Sequence, residues 1–157
     1  MKKPHSLIPW LTAFCFGILS NTACAQLGGV AANVTATPAP GVVRHAMFNG
    51  AAMVRTTIDD GGTTITEYAD STGRIFAYTW RGPTVPDLRA LLGRYEDAYR
   101  SAASDAAGTT PRTASLHASR VAAGDVIVES SGRMRAYVGR AWLPAALPPG
   151  ITAADLH

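Results

Sequence analysis

Arginine and tyrosine side chains recur at every second position near the C-terminal end of the chain, at Arg133, Arg135 and Tyr137. Alternate residues of a β-strand point to the same side of a sheet, so a strand here places all three together. Guanidinium groups bind carboxylates and phosphates through charge-assisted hydrogen bonds. The spacing predicts a binding patch for a carboxylate-bearing partner or an anionic polymer, while a charged strand facing solvent is the simpler interpretation.

Phe76, Tyr78 and Trp80 show the same spacing, which predicts that three aromatic rings share one face of a strand. Such a stripe is typical of a core that a helix covers. If the stripe instead faces the open side of the sheet, it forms a binding platform. In that case Trp80 is the fourth residue of the predicted patch, but a buried position in the core is the favoured interpretation.

Two aspartate-rich runs contain residue types found in metal and protease sites. Asp59-Asp60-Gly61-Gly62 has two carboxylates of the kind that bind Ca²⁺, but the alternating carboxylates of a calcium loop do not follow. Asp70-Ser71-Thr72-Gly73 differs by one residue from the Asp-Thr-Gly of aspartic proteases, which need a pair of carboxylates. Hairpin turns explain both runs better, and the sequence predicts no metal site and no cofactor.

The histidines that follow the N-terminal segment are His45, His117 and His157, and no two have the spacing of metal ligands. Gly-x-Ser-x-Gly is absent, and the P-loop lysine is missing beyond residue 25, so neither a serine hydrolase nor an NTPase is indicated. The sequence therefore favours a protein without enzymatic activity. The alternative is a small exported hydrolase whose Asp, Ser and His come from dispersed positions, with His117 beside a carboxylate in a pocket.

The elements that would position these residues begin near Ala51. Residues 52–58 alternate in polarity, a threonine-rich strand runs to Tyr68, and residues 74–81 follow the second Asp-Gly turn. The pattern predicts a three-stranded antiparallel meander.

One amphipathic helix follows the meander. Thr84 is predicted to cap it, Pro86 lies in its first turn, Asp87 has the capping-box spacing, and the helix is expected to end by Ser104. Its apolar residues recur at intervals of three and four and form one stripe. They are Leu88, Leu91, Leu92, Tyr95, Ala98, Tyr99 and Ala102.

A C-terminal β-hairpin is predicted from residues 125–130 and 133–142, with its turn at Ser131-Gly132. One helix covers only one face of the resulting sheet. The other face is therefore solvated, self-associated or used for binding.

The first 25 residues are typical of a secretory signal. Two lysines near the start precede an apolar run of 13 residues from Leu7 to Leu19, shorter than the ~20 residues that cross a bilayer. We predict cleavage after Ala25 and a periplasmic or secreted protein with no stable membrane span. A lipoprotein attached through Cys24 is less favoured, because Asn21 stands where lipoprotein signals usually have Leu.

Removal of this segment changes the composition of the protein. Both cysteines and both lysines leave with it, so the remaining 132 residues contain no thiol and carry a net charge of +1. Disulfides and thiol chemistry are then excluded, and the charge gives no support to a nucleic-acid partner. Residues 26–50 are rich in Ala, Gly and Pro and predict a flexible leader, followed by a single domain over residues 51–157.

Three segments carry a resemblance to a known family: GPTVPDLRALLG at residues 82–93, SGRMRAYVGRAWLP at residues 131–144, and Pro149-Gly150-Ile151. They resemble a family of small exported bacterial proteins catalogued as domain of unknown function 2844. The resemblance covers most of the chain after the signal and implies export and a single domain. It implies no catalytic or binding residue.

Together these features predict an α+β protein that acts as an exported, non-enzymatic accessory or binding protein of the cell envelope. Its expected partner is another envelope protein rather than nucleic acid. A self-assembling envelope protein is a further alternative, in which the uncovered face or an edge strand forms a homo-oligomer.

Overall fold

The computed structural model of the protein describes residues 25–31, 42–109 and 118–157. Their main feature is one antiparallel sheet of seven strands in the order β1-β2-β3-β4-β7-β6-β5. The strands are β1 (Val43–Met47), β2 (Ala52–Ile58), β3 (Thr64–Asp70), β4 (Ile75–Gly82), β5 (Ala118–Ala123), β6 (Val126–Arg133) and β7 (Ala136–Trp142). The α+β class is confirmed, but β1 and β5 extend the sheet beyond the predicted meander and hairpin.

The helices α1 (Leu88–Leu92) and α2 (Glu96–Thr109) cover one side of this sheet, which we call the helix side. Apolar side chains from both helices pack against the core formed by β3, β4, β6 and β7. The predicted residues found in this packing are Leu88, Leu91, Leu92, Tyr95, Tyr99 and Ala102. Ala98 is exposed, and α2 continues beyond the expected end at Ser104.

The start of the helix differs from the prediction. Asp87 is the N-cap, and its side chain accepts a hydrogen bond from the Ala90 N–H at 3.1 Å. Thr84, the predicted cap, instead shares a hydrogen bond of 2.8 Å with the Thr63 hydroxyl. Gly93 interrupts the predicted single helix because its φ of 54° lies in the left-handed region.

The side of the sheet opposite the helices is partly covered by residues 144–157, which we call the C-terminal segment. Ile151 and Leu156 of this segment are buried in a second apolar core. The hydroxyl of Tyr68 on β3 donates to the His157 carbonyl at 2.7 Å, and Arg140 on β7 donates to the Ala153 carbonyl. The chain therefore covers part of the face that the sequence left open.

A β-bulge in β4 divides the aromatic stripe between the two sides of the sheet. The pairing with β3 shifts between Tyr68 and Ala69, which leaves Phe76 as an extra residue in β4. Phe76 then packs in the core beneath the C-terminal segment, while Tyr78 and Trp80 pack on the helix side. The prediction that all three rings share one face is wrong, because one unpaired residue reverses the alternation.

The segment predicted to be a flexible leader contributes to the fold at both ends. Leu27 is 1% exposed, and its N–H donates to the Leu91 carbonyl at 2.9 Å. The Gly28 N–H donates a hydrogen bond to the Ile75 carbonyl on β4 at 2.8 Å. At the other end of the segment, β1 pairs antiparallel with β2. The prediction of a leader over 26–50 is therefore wrong for residues 26–31 and 42–50, since composition does not reveal these long-range pairs. Residues 32–41 lie outside the described residues.

The C-terminal hairpin turns at Met134 and Arg135, between the paired residues Arg133 and Ala136. The prediction of a turn at Ser131-Gly132 is wrong, because both residues belong to β6. A Cβ atom on Gly132 would lie 2.9 Å from the ring of Tyr137, its partner on β7. This glycine thus makes room for a cross-strand neighbour.

The predicted signal peptide lies outside the described residues except for Ala25. Within the part of the chain that the structure describes, no helix has both the length and the apolar character needed to cross a membrane.

Candidate functional site

A groove with a volume of about 650 Å³ lies on the side of the sheet opposite the helices, beside the C-terminal segment. We call it the arginine groove and this side of the sheet the groove side. Its lining includes three threonines, three arginines and one glutamate from β3 to β7. These residues are Thr64, Thr66, Thr79, Arg81, Arg120, Glu129 and Arg140.

Strand register explains how residues from distant parts of the chain meet in the groove. Thr79 on β4 pairs with Thr66 on β3 and with Arg140 on β7. Arg140 pairs with Glu129 on β6, which pairs with Arg120 on β5. Because directly paired residues point to the same side of an antiparallel sheet, the five side chains form one row across five strands.

Glu129 lies between two arginines in this row. Arg140 Nε donates to Glu129 Oε2 at 2.7 Å, and Arg120 donates to the other carboxylate oxygen. Both guanidinium groups also lie over the ring of Trp142, at 5.6 Å for Arg120 and 5.2 Å for Arg140. The two arginines are therefore held in place by a carboxylate and an aromatic ring.

The electrostatics of this cluster keep Glu129 ionised. Burial raises the pKa of Glu129, but hydrogen bonds from Arg140 and Arg120 outweigh it and hold the pKa below the usual range of a glutamate. A carboxylate in this state accepts hydrogen bonds and does not act as a general acid near neutral pH.

The groove has an excess of positive side-chain charge, since its three arginines face a single acidic side chain. Arg81 is exposed and forms no ion pair with any residue that the structure describes. It lies on the same side as Arg140, because it pairs with Val138 two positions before Arg140 on β7. The arrangement therefore suits an anionic ligand.

The structure does not bring the predicted patch together. Arg133 lies on the groove side at the end of β6, because it pairs with Ala136. Arg135 is in the hairpin turn with a φ of 64°, and Tyr137 points to the helix side. Trp80 is 2% exposed and belongs to the core. The turn between Arg133 and Tyr137 breaks the alternation on which the predicted patch depends.

The two aspartate-rich runs form turns, as the sequence predicts. Asp59 Oδ1 accepts a hydrogen bond from the Thr63 N–H at 2.8 Å. Asp70 Oδ1 accepts hydrogen bonds from the Thr72 and Arg74 N–H groups at 2.8 and 3.0 Å. No group of three or more His, Cys, Asp or Glu side chains suited to a metal ion occurs among the described residues.

The three histidines are separated in the molecule. His45 is exposed on the edge strand β1, and His157 lines one end of the arginine groove. His117, on which the hydrolase alternative depends, lies outside the described residues.

Sequence reasoning missed the arginine groove because the pairing of β4 with β7 is what joins Thr79 and Arg81 to the Arg120–Glu129–Arg140 cluster. The available signal was the alternation of charged residues on the last two strands, with Glu129 and Arg140 each between less polar neighbours. That signal shows which side chains share a face within one strand. It does not show which strands are adjacent.

A comparison with protein-family models confirms the resemblance seen in the sequence. The model described as protein of unknown function (DUF2844) matches residues 23–156, a range that includes all seven described strands, both helices and the arginines, threonines and glutamate of the groove. No curated protein and no solved structure matches the chain. The chain therefore belongs to the DUF2844 family of proteins of unknown function.

Proposed function

We propose that this protein is an exported, non-enzymatic binding protein of the cell envelope that holds an acidic segment of another envelope protein in the arginine groove. The observation that carries the proposal is the exposed Arg81 beside the Arg120–Glu129–Arg140 cluster, in a groove lined by three arginines and one acidic side chain. Arginine binds carboxylates in a bidentate manner, so the groove offers oriented donors as well as charge.

The dimensions of the groove support an extended ligand. Its lining crosses five strands from β3 to β5, and strands about 4.8 Å apart give a length of roughly 19 Å. An extended peptide advances about 3.3 Å per residue, so about six residues fit along it. Threonine hydroxyls on the floor can bond the peptide backbone, and the partly exposed Val138 offers an apolar contact.

A peptide suits this lining better than a sugar polymer does. Carbohydrate ligands are commonly stacked on exposed aromatic rings, whereas Trp80, an aromatic residue at the groove, is 2% exposed. The non-enzymatic assignment is supported by Glu129, whose two arginine partners keep it ionised and engaged.

The test is a calorimetric titration of the protein, purified after export, with a glutamate-rich hexapeptide. Arg81→Ala should weaken binding at least about tenfold, because a hydrogen bond to a charged group contributes roughly 1.5–3 kcal/mol. Arg89→Ala is the matched control, since Arg89 is an exposed arginine on α1 and away from the groove. It should leave the affinity unchanged.

Two further probes separate the acidic peptide from other anions. Inorganic phosphate and a sulfated dextran should bind more weakly than the hexapeptide, because neither matches the bidentate carboxylate geometry along the groove. Equal affinity for inorganic phosphate would assign the groove to a small anion, and tighter binding of the dextran would assign it to an anionic polymer. Equal loss of binding in the Arg81 and Arg89 variants would refute the groove as the site.

A further inference from the structure

A buried carboxylate, Glu67, lies on the helix side of the sheet, away from the arginine groove. Glu67 is 7% exposed. Burial raises the pKa of its carboxyl group, although Arg55, Tyr78 and Arg44 each act to lower that pKa. Arg55 and Arg44 line the same small cavity of about 50 Å³ as Glu67, together with Asp70. The surrounding arginines therefore do not fully offset the cost of burying this carboxylate.

The hydroxyl of Tyr78 connects Glu67 to the beginning of the described chain. Its oxygen lies 3.0 Å from Glu67 Oε2 and within hydrogen-bonding distance of the Ala25 carbonyl oxygen. A hydroxyl has one proton, so Tyr78 donates to only one of these two acceptors at a time. Three oxygen atoms thus meet at a point where an additional donor would be favourable.

The backbone that follows Ala25 is held firmly at this point. Gly29 N–H donates to the Gln26 carbonyl at 2.8 Å, and Leu27 N–H donates to Leu91 at 2.9 Å. Leu27 is buried, and the side chain of Gln26 packs against Gly93, where no Cβ would fit. The nitrogen of Gln26 is bonded directly to the Ala25 carbonyl carbon, so these contacts also hold that nitrogen close to Tyr78.

We infer that cleavage after Ala25 creates an α-ammonium group on Gln26 that forms an ion pair with the buried Glu67, bridged by the Tyr78 hydroxyl, and so locks the new N-terminus onto the sheet. The reaction is hydrolysis by the peptidase that removes export signals. The C–N bond between Ala25 and Gln26 breaks, water supplies the oxygen of the new Ala25 carboxylate, and both protons of that water end on the Gln26 nitrogen. This inference goes beyond the binding function and rests on the predicted cleavage site.

Cleavage replaces a hydrogen-bond acceptor, the Ala25 carbonyl, with a hydrogen-bond donor, the Gln26 ammonium group, beside the Tyr78 hydroxyl. Before cleavage the Ala25 carbonyl competes with Glu67 for the Tyr78 proton. Afterwards the ammonium group supplies three protons and one positive charge beside a buried negative charge. An α-amino group ordinarily loses its proton near pH 8, so it is charged at neutral pH.

The sequence allows a direct test, because its lysines are Lys2 and Lys3. Protein processed by a secreting host and starting at Gln26 then has a single primary amine. Its acetylation at neutral pH should be roughly tenfold slower than in Glu67→Gln, since a nearby carboxylate favours the unreactive ammonium form. Glu129→Gln is the matched control on the other side of the sheet and should react like the wild type.

Thermal unfolding supplies a second readout. Acetylation should lower the melting temperature of the wild type by roughly 4 °C or more and should have little effect on Glu67→Gln. If Glu67→Gln does not fold, a chain with one extra alanine before Gln26 replaces it. Displacing the amine by one residue should raise its reactivity to that of the urea-unfolded protein.

Several results would overturn the inference. One is mass spectrometry that places the new N-terminus at a residue other than Gln26. Another is mass spectrometry that finds Gln26 cyclised with loss of its amine. Equal acetylation rates in the wild type, Glu67→Gln and the alanine-extended chain would also contradict it. None of these results affects peptide binding in the arginine groove, so the two proposals fail independently.

Discussion

On the helix side of the sheet, Tyr78 and Trp80 of β4 are 2% exposed, whereas Arg81 of the same strand is exposed on the groove side. The helix side packs apolar residues of two helices and of residues 25–31 against the sheet. On the groove side, the C-terminal segment covers part of the sheet, and a row of polar and charged residues beside it lines the groove. The helix side therefore contains the larger buried core, while part of the groove side is open to solvent.

The largest difference in stability between the helix side and the groove side is expected from a substitution at Trp80. Replacing it with alanine should lower the free energy of unfolding by about 3–5 kcal/mol, because a large buried ring is removed from the core. Val138→Ala, an apolar truncation on the groove side at a residue 39% exposed, should change it by less than about 1 kcal/mol. Urea denaturation of both variants measures the difference, and similar losses would mean that the two sides contribute alike.

A smaller effect is expected within the groove, from Arg140. The Arg140 guanidinium donates hydrogen bonds to Glu129 and to the Ala153 carbonyl of the C-terminal segment, and it lies over the Trp142 ring. Arg140→Ala should cost about 1.5–3 kcal/mol of stability and increase hydrogen exchange in residues 151–157. Arg120→Ala is the matched control, because the Arg120 side chain is 59% exposed and should cost about 0–1 kcal/mol. Equal costs would show that Arg140 does not anchor the segment.

The smallest effect concerns pH, and it should have opposite signs on the two sides. The pKa of Glu129 is lowered in the folded state, because hydrogen bonds from Arg140 and Arg120 outweigh the effect of burial. Its contribution to stability is therefore present above the unfolded value of about 4.3 and is lost as the pH falls through the folded pKa. Wild type should lose stability relative to Glu129→Gln over that interval.

Glu67 should behave in the reverse way in a chain that keeps the Ala25–Gln26 bond. Burial raises the pKa of Glu67, so the folded protein binds the proton more tightly than the unfolded chain. Lowering the pH through the raised pKa, towards about 4.3, should then stabilise the wild type relative to Glu67→Gln. Denaturation midpoints between pH 7 and 3 measure both signs, and parallel curves for the two variants would contradict the assignment.

Features of the fold that depend on residues close together in the sequence were predictable. The apolar residues predicted for the helices pack in the core with the exception of Ala98, and the turns at Asp59 and Asp70 and the family membership were predicted correctly. Each depends on a spacing of a few residues or on the order of short motifs, which the chain carries locally. The N-cap is Asp87 and not the predicted Thr84, because the Thr84 hydroxyl shares a hydrogen bond with Thr63.

The candidate site was less predictable, because single residues change the direction of side chains. The bulge at Phe76 and the turn at Met134 and Arg135 each reversed an alternation that the prediction had extended without interruption. Arg133 and Tyr137 consequently lie on opposite sides of the sheet. The small residues of the predicted leader likewise gave no indication that Leu27 is buried.

Short-range periodicity, turn chemistry and motif order were enough to predict the α+β class, most of the helical stripe, the Asp-Gly turns and the family. The position of β4 beside β7, which brings Thr79 next to Arg140 and builds the arginine groove, depends on the folded sheet. The tertiary structure also decided that Ala25 meets Tyr78 and Glu67. Pairings between distant strands depend on how the whole core packs, and no local pattern specifies them.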